Sequence, residues 1–350
     1  AASVTIGKRE FARRRRKLMA LMEPNSIAIV PAARERLRSR DTEYPFRQDS
    51  DFFYLTGFPE PDAVLVLIPG RRHGQYVVFC RESDPARERW EGRRAGPEGA
   101  VARFGADDAF PIGDIDEILP GLIEGRERVY YSLGRSAAFD ARLMGWVNSI
   151  RSKAASGAVP PGELADLNHM LHELRLVKSA AELRVMRRAA AITAAAHRSA
   201  MAACRPGRYE YELEAELQYS WSRAGARYPA YPPIVAGGAN GCILHYTENG
   251  ERLRDGDLVL IDAGCELQGY AADVTRTFPV NGAFSPAQRA LYAIVLAAQD
   301  AGVDALRAGN HWNQAHDATV RVITEGLVEL GLLRGRVPKL IEEGAYRTFY

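Results

Sequence analysis

Cysteine is scarce in this chain and does not cluster. Cys80, Cys204, Cys242 and Cys265 are scattered through 350 residues with no C-x-x-C pair. That excludes a disulfide framework and leaves buried, reduced thiols. Long apolar runs are also missing. The longest are strand-sized, such as residues 63–69, far short of a membrane span. The N-terminal stretch is charged from Lys8 onward and has no apolar h-region, so it is not a secretory signal. Ala1-Ala2, with no Met, reads as a cloning remnant. A net charge of +2 supplies no broad field for nucleic acid or a membrane surface. No internal repeat and no low-complexity segment is present. A soluble, cytoplasmic protein is expected, with neither nucleic acid nor membrane as partner.

What is present suits two ordinary domains, with 47% hydrophobic, 26% charged and 9% aromatic residues. Residues 9–22 read as an amphipathic helix with the Arg13–Lys17 run mostly outward. SIAIV, AVLVLI, QYVVFC and RVYYSL read as strands, and DARLMGWVNSIRSKA as a helix, which together predict an α/β domain. ASGAVPPGEL reads as the start of a linker over about 155–174, dividing residues 1–174 from 175–350. Beyond it, Ser179 and Glu182 form a capping box that opens an Ala-rich helix to Cys204. A second helix is expected over 210–223. Strand and turn chemistry follows over 228–280, then a helix opened by Ser285-Pro286 with Gln288, and another through ATVRVITEGLVEL. This pattern predicts an α+β domain, a mostly antiparallel sheet with helices covering one face.

The chemistry concentrates in LVLIDAGCELQGYAADVTRTF. Asp262 ends one apolar run, and Asp273 lies eleven residues on, at the head of the next. Burying an unpaired carboxylate is costly, and a second one nearby raises the cost by repulsion. If the two runs pair as a hairpin, with 270–278 as the second strand, both carboxylates point into one space, which a divalent cation would neutralise. Carboxylate oxygens are hard ligands that suit Mn, Mg or Ca. The other reading is an ordinary hairpin whose aspartates are solvated or paired with Arg276. Spacing alone leaves both open.

The neighbouring segments point further. GGANGCILHYTEN and LRDGDLVLIDAGCELQGYAADVTRTFPVNGAFSPAQRALY resemble the pita-bread metallopeptidases, which include methionine aminopeptidase, prolidase and aminopeptidase P. TEYPFRQDSDFFYLTGFPEPDAVLVL, residues 42–67, resembles the accessory domain of the Xaa-Pro aminopeptidases, and the bacterial aminopeptidase P group is the nearest likeness. The resemblance implies an α/β N-terminal domain for oligomerisation, plus an α+β pita-bread domain that is incomplete at Tyr350. It implies two divalent metal ions, usually manganese, with Asp262 and Asp273 as ligands and Asp273 bridging. It also implies that His245, in ILHY, contacts substrate near the scissile bond, and that Tyr231, in PAYPPIV, borders the metal pocket as a substrate-binding residue. The family's other ligands, one His and two Glu, follow an AYRTFY-like segment and are expected beyond Tyr350; a chain ending there would be inactive.

The activity implied is release of the N-terminal residue from peptides with proline second, by metal-activated hydroxide attack on the Xaa-Pro bond. Prolidase and a non-catalytic pita-bread protein that binds peptides or partners are the alternatives. A homo-oligomer, dimer or tetramer, is expected. His311 and His316 are five apart, off a common helix face, and read as structural or exposed. GGANG reads as a turn, Trp90 as a packing or subunit-contact residue, and Cys265 as a buried thiol.

Overall fold

The computed structural model describes residues 5–350, so the reading of Ala1-Ala2 lies outside the described residues. Its first half contains α1 (Lys8–Leu21), β1 (Ser26–Pro31), α2 (Ser50–Thr56), β2 (Val64–Leu67), β3 (Tyr76–Cys80), α3 (Pro85–Glu91), α4 (Gly96–Phe104), β4 (Asp108–Pro111), α5 (Ile115–Ile123), β5 (Arg128–Tyr130), α6 (Ala137–Ser152), β6 (Glu163–Ala165) and α7 (Asn168–Leu176). Its second half contains α8 (Ala180–Ala203), α9 (Glu210–Arg223), β7 (Tyr228–Pro229), β8 (Ile234–Gly237), β9 (Leu258–Asp262), β10 (Cys265–Leu267), β11 (Tyr270–Ala271), β12 (Thr275–Pro279), α10 (Pro286–Ala305), α11 (Trp312–Glu329) and α12 (Val337–Glu342). Two compact units result. One takes the chain to Ala191 together with Cys265–Ala272; the other takes Ile192–Gly264 and Asp273–Tyr350.

The first unit is α/β, as expected. Its sheet runs β4-β3-β2-β1-β5-β6, with β2 antiparallel to both its neighbours and the remaining pairs parallel. The central strands are apolar at nearly every position because both faces are covered. Ala28, Val30, Leu65 and Val78 pack with Leu18 and Phe52 on one face. Ile27, Ile29, Val66 and Phe79 pack with Leu119, Leu143 and Trp146 on the other.

Three expectations are corrected in this unit. Residues 155–174 are not a loose connector: they carry β6, which extends the sheet beside β5, and most of α7. Three strand residues are too few to show an alternation. The Arg13–Lys17 run is not mostly outward: Arg16 and Lys17 are exposed, but Arg13 is half-buried, Arg14 is 1% and Arg15 is 6% exposed. Their guanidiniums donate to Tyr54 O and Leu55 O at the end of α2 and stack on Tyr54 and Tyr76. Oriented carbonyls and ring faces together make burial of a cation tolerable. The short helices α2 to α5 were also not foreseen. Within the same unit, Gln268 and Gly269 both have positive φ and turn β10 onto β11 as a two-residue hairpin. Tyr270 Oη there donates to Glu182 Oε1.

The second unit is α+β. Its sheet runs β12-β9-β8, antiparallel throughout. The capping box of Ser285 and Gln288 opens α10 as read, and α11 begins earlier than read, capped by His311. Ser179 and Glu182 likewise exchange the expected capping bonds ahead of α8. No helix among the described residues is long and apolar enough to cross a membrane.

Candidate metal centre

The two runs pair as a hairpin. Thr275 to Pro279 oppose Asp262 to Leu258, so Asp262 and Thr275 share a face. The expected single strand over 270–278 is broken at 272–274, with β11 before the break and β12 after it. Asp273 therefore sits on the approach to β12. The register survives the break, because Ala263 N donates to Val274 O and Ala272 N donates to Cys265 O. Asp273 thus keeps the face of Thr275, two residues on, and so the face of Asp262.

Tyr231 proves the convergence. Its hydroxyl lies 2.5 Å from Asp262 Oδ1 and 2.9 Å from Asp273 Oδ1. Burial first, and then the two carboxylates, push this phenol far above its usual range, so it remains protonated. One hydroxyl carries one proton, which cannot satisfy two carboxylates. Neither aspartate forms an ion pair among the described residues; Arg276, the partner the plain hairpin reading offered, donates to Thr275 O instead. Asp262 is half-buried and Asp273 exposed, so the cost lies less in burial than in two adjacent anions. Converging hard oxygens with surplus acceptor capacity fit a divalent cation. No third carboxylate, histidine or cysteine joins them to form a group of three among the described residues.

His245 is exposed, in the turn after the short 3-10 helix Gly238–Cys242, and has no hydrogen bond to either aspartate among the described residues. The segment that carries it is nevertheless firmly held. Glu210, fully buried at the start of α9, accepts from Gly237 N (2.7 Å), Asn240 Nδ2 (3.1 Å), Tyr246 Oη (2.8 Å) and Glu251 N (2.8 Å). One turn on, Glu214 accepts from Asn249 Nδ2, whose side chain also bonds Val235 N and Pro233 O. Gly238 has φ +55°, and a Cβ there would meet Asp257 Oδ2 at 2.8 Å, which accounts for a glycine in this turn. Sequence reasoning missed Glu210; its only signal is two glutamates four apart in YEYELEAEL.

The remaining readings resolve simply. His311 caps α11 through Nδ1, and His316 stacks on Tyr350. Cys80 and Cys265 are buried as expected, but Cys204 is half-buried and Cys242 exposed; burial pushes the thiols of Cys80 and Cys204 up, to about 12 and about 11. Trp90 is 91% exposed and packs no core.

Residues 184–346 match the metallopeptidase family M24, and residues 11–130 match the aminopeptidase P N-terminal domain. The Xaa-Pro aminopeptidase of Escherichia coli K12 is 46% identical over 99% of this chain and 78% of its own length. The chain belongs to the aminopeptidase P branch of family M24. Its fold agrees. The structure of Pseudomonas aeruginosa aminopeptidase PepP superposes with a TM-score of 0.99 at 63% identity, covering 99% of this chain and 79% of that one. A zinc-substituted Escherichia coli aminopeptidase P in complex with product gives 0.96 at 46% identity, covering 98% and 78%. An α/β accessory domain followed by a pita-bread domain is therefore the architecture, and a divalent-metal-dependent hydrolase is the enzyme class.

Proposed function

We propose that this chain releases the N-terminal residue from peptides with proline in second position. The observation that carries the reading is the convergence of Asp262 and Asp273 on one phenol, in a chain related over almost its whole length to Xaa-Pro aminopeptidases. The substrate bond is a tertiary amide without an N–H, so strand-type pairing through that nitrogen is lost. Recognition then falls to the free N-terminus, the proline ring and the scissile carbonyl.

Asp262 and Asp273 would hold divalent metal ions, manganese in this reading. When bound, such ions supply Lewis acidity and lower the pKa of water. Tyr231 borders this space and holds its proton at Oη between the two carboxylates, which orients them before any cation arrives. His245, on the segment held by Glu210, would donate to the oxygen of the scissile carbonyl as charge develops there. Residues 1–174 would serve as the accessory and oligomerisation domain and 175–350 as the peptidase domain, in a cytoplasmic dimer or tetramer. The exposed Trp90 side chain suits a subunit contact.

The test is hydrolysis of Arg-Pro-Pro by the full-length protein with added Mn(II). Release of free Arg is expected. Cleavage confined to Xaa-Pro dipeptides would replace this reading with a prolidase.

A further inference from the structure

His197 lies in the last third of α8, 3% exposed, in the Ala-rich run ITAAAHRSA. Its Nε2 is 3.0 Å from Ala263 O. A carbonyl can only accept, so Nε2 carries the proton and Nδ1 is the bare nitrogen. Nδ1 is buried and has no hydrogen-bond partner among the described residues. Burial pushes the imidazole below its usual range, in keeping with a neutral ring.

Ala263 is where the two ligand segments are tied together. It follows Asp262 directly, and its N–H donates to the carbonyl of Val274, the residue that follows Asp273. Its own carbonyl, on a fully buried residue, is met by His197. The imidazole also faces the backbone at Val274. An apolar residue at 197 would leave the carbonyl without its partner, at a cost comparable to any orphaned buried polar group. A plain core histidine would meet that need and do nothing more.

We infer that His197 is a positioning residue for the metal centre: by holding Ala263 O it sets where the Asp262 and Asp273 carboxylates stand relative to each other. The inference rests on the reading of those two aspartates as metal ligands. Groups that act on ligands from behind typically change metal affinity by about 10- to 100-fold when removed. A merely structural histidine would alter stability and leave the affinity of the folded protein alone.

The experiment measures Mn(II) affinity by calorimetry in the full-length protein for wild type, His197→Met, His197→Gln, His197→Asn and Asp273→Asn. The glutamine amide reaches the position of Nε2, whereas the shorter asparagine amide reaches only that of Nδ1. His197→Met and His197→Asn should bind Mn(II) about tenfold more weakly or worse, and His197→Gln should restore binding. Wild-type affinity in His197→Met, or equal weakness of the Gln and Asn variants, would overturn the inference. If His197→Met does not fold, the Gln and Asn pair carries the test. Ring 15N spectra of the wild type give a check without substitution: an Nε2–H tautomer is expected, and an Nδ1–H tautomer would contradict the geometry. Asp273→Asn separates the two levels. If it binds Mn(II) normally, the ligand reading itself is wrong; if it loses binding while His197→Met keeps it, only the positioning role fails.

Discussion

Two pairs of aspartates in this molecule meet opposite fates. In the first unit, Asp49 and Asp51 are both gripped by Arg135, and Asp51 also by Arg175. Asp49 in addition caps α2, accepting from Asp51 N and Phe52 N. In the second unit, Asp262 and Asp273 share one neutral phenol and no cation among the described residues. Carboxylates that a protein neutralises with its own arginines are spent on holding the fold. Carboxylates left with surplus acceptor capacity are available to a cation from solution. In the reading proposed above, arginine partnership, more than the presence of paired acids, separates structure from chemistry.

The hardest way to break the comparison is to remove one unneutralised acid. Asp273→Ala should lower Xaa-Pro hydrolysis by the full-length protein about a thousandfold or more, the several kcal/mol a metal centre supplies, while circular dichroism stays unchanged. An active variant would mean that the second pair is as structural as the first. Glu210→Ala should act the other way round. It strips four donors of a buried charged acceptor, and chemical denaturation should report a loss of about 3 kcal/mol. Unchanged stability would show that the segment around His245 is held by other means.

The first pair sharpens the contrast from its own side. Arg135→Ala with Arg175→Ala should cost about 2 kcal/mol of stability, between the values for exposed and buried pairs, and leave the kcat of the folded protein near wild type. Loss of catalysis without loss of stability would overturn its assignment as structural. The smallest effect is a pH dependence. Bonding to Arg13 outweighs partial burial and lowers the carboxyl of Glu10 from 4.5 to about 2. A depressed folded pKa stabilises above the unfolded value, and that contribution is lost as pH falls through the folded one. The stability gap between wild type and Glu10→Gln should therefore be fully present above about pH 5 and close as pH falls towards about 2. A gap that does not change over this range would remove the Arg13 bond from the account.

What could be read in the sequence was local or motif-borne. Both serine capping boxes lie within four residues, and the helix over 210–223 has the bounds expected. Asp262, Asp273 and Tyr231 stood out because their surrounding segments are specific to one family. Glu210 and His197 were invisible for a physical reason: their partners lie 27 to 41 and 66 residues away, and nothing local marks such bonds. β4 and β6, at four and three residues, are too short for period-two patterning to register. The β10–β11 hairpin escaped notice because Gln268 is an unusual residue for a left-handed turn position.

Thermal unfolding of the full-length protein with and without Mn(II) tests most directly whether the unneutralised pair awaits a cation. Binding to the native state alone at a hundred times Kd should add about 2.7 kcal/mol of stability, so Mn(II) should raise the melting temperature of the wild type and leave that of Asp262→Asn/Asp273→Asn where it stands. An equal rise in both proteins would place the cation elsewhere and contradict the account.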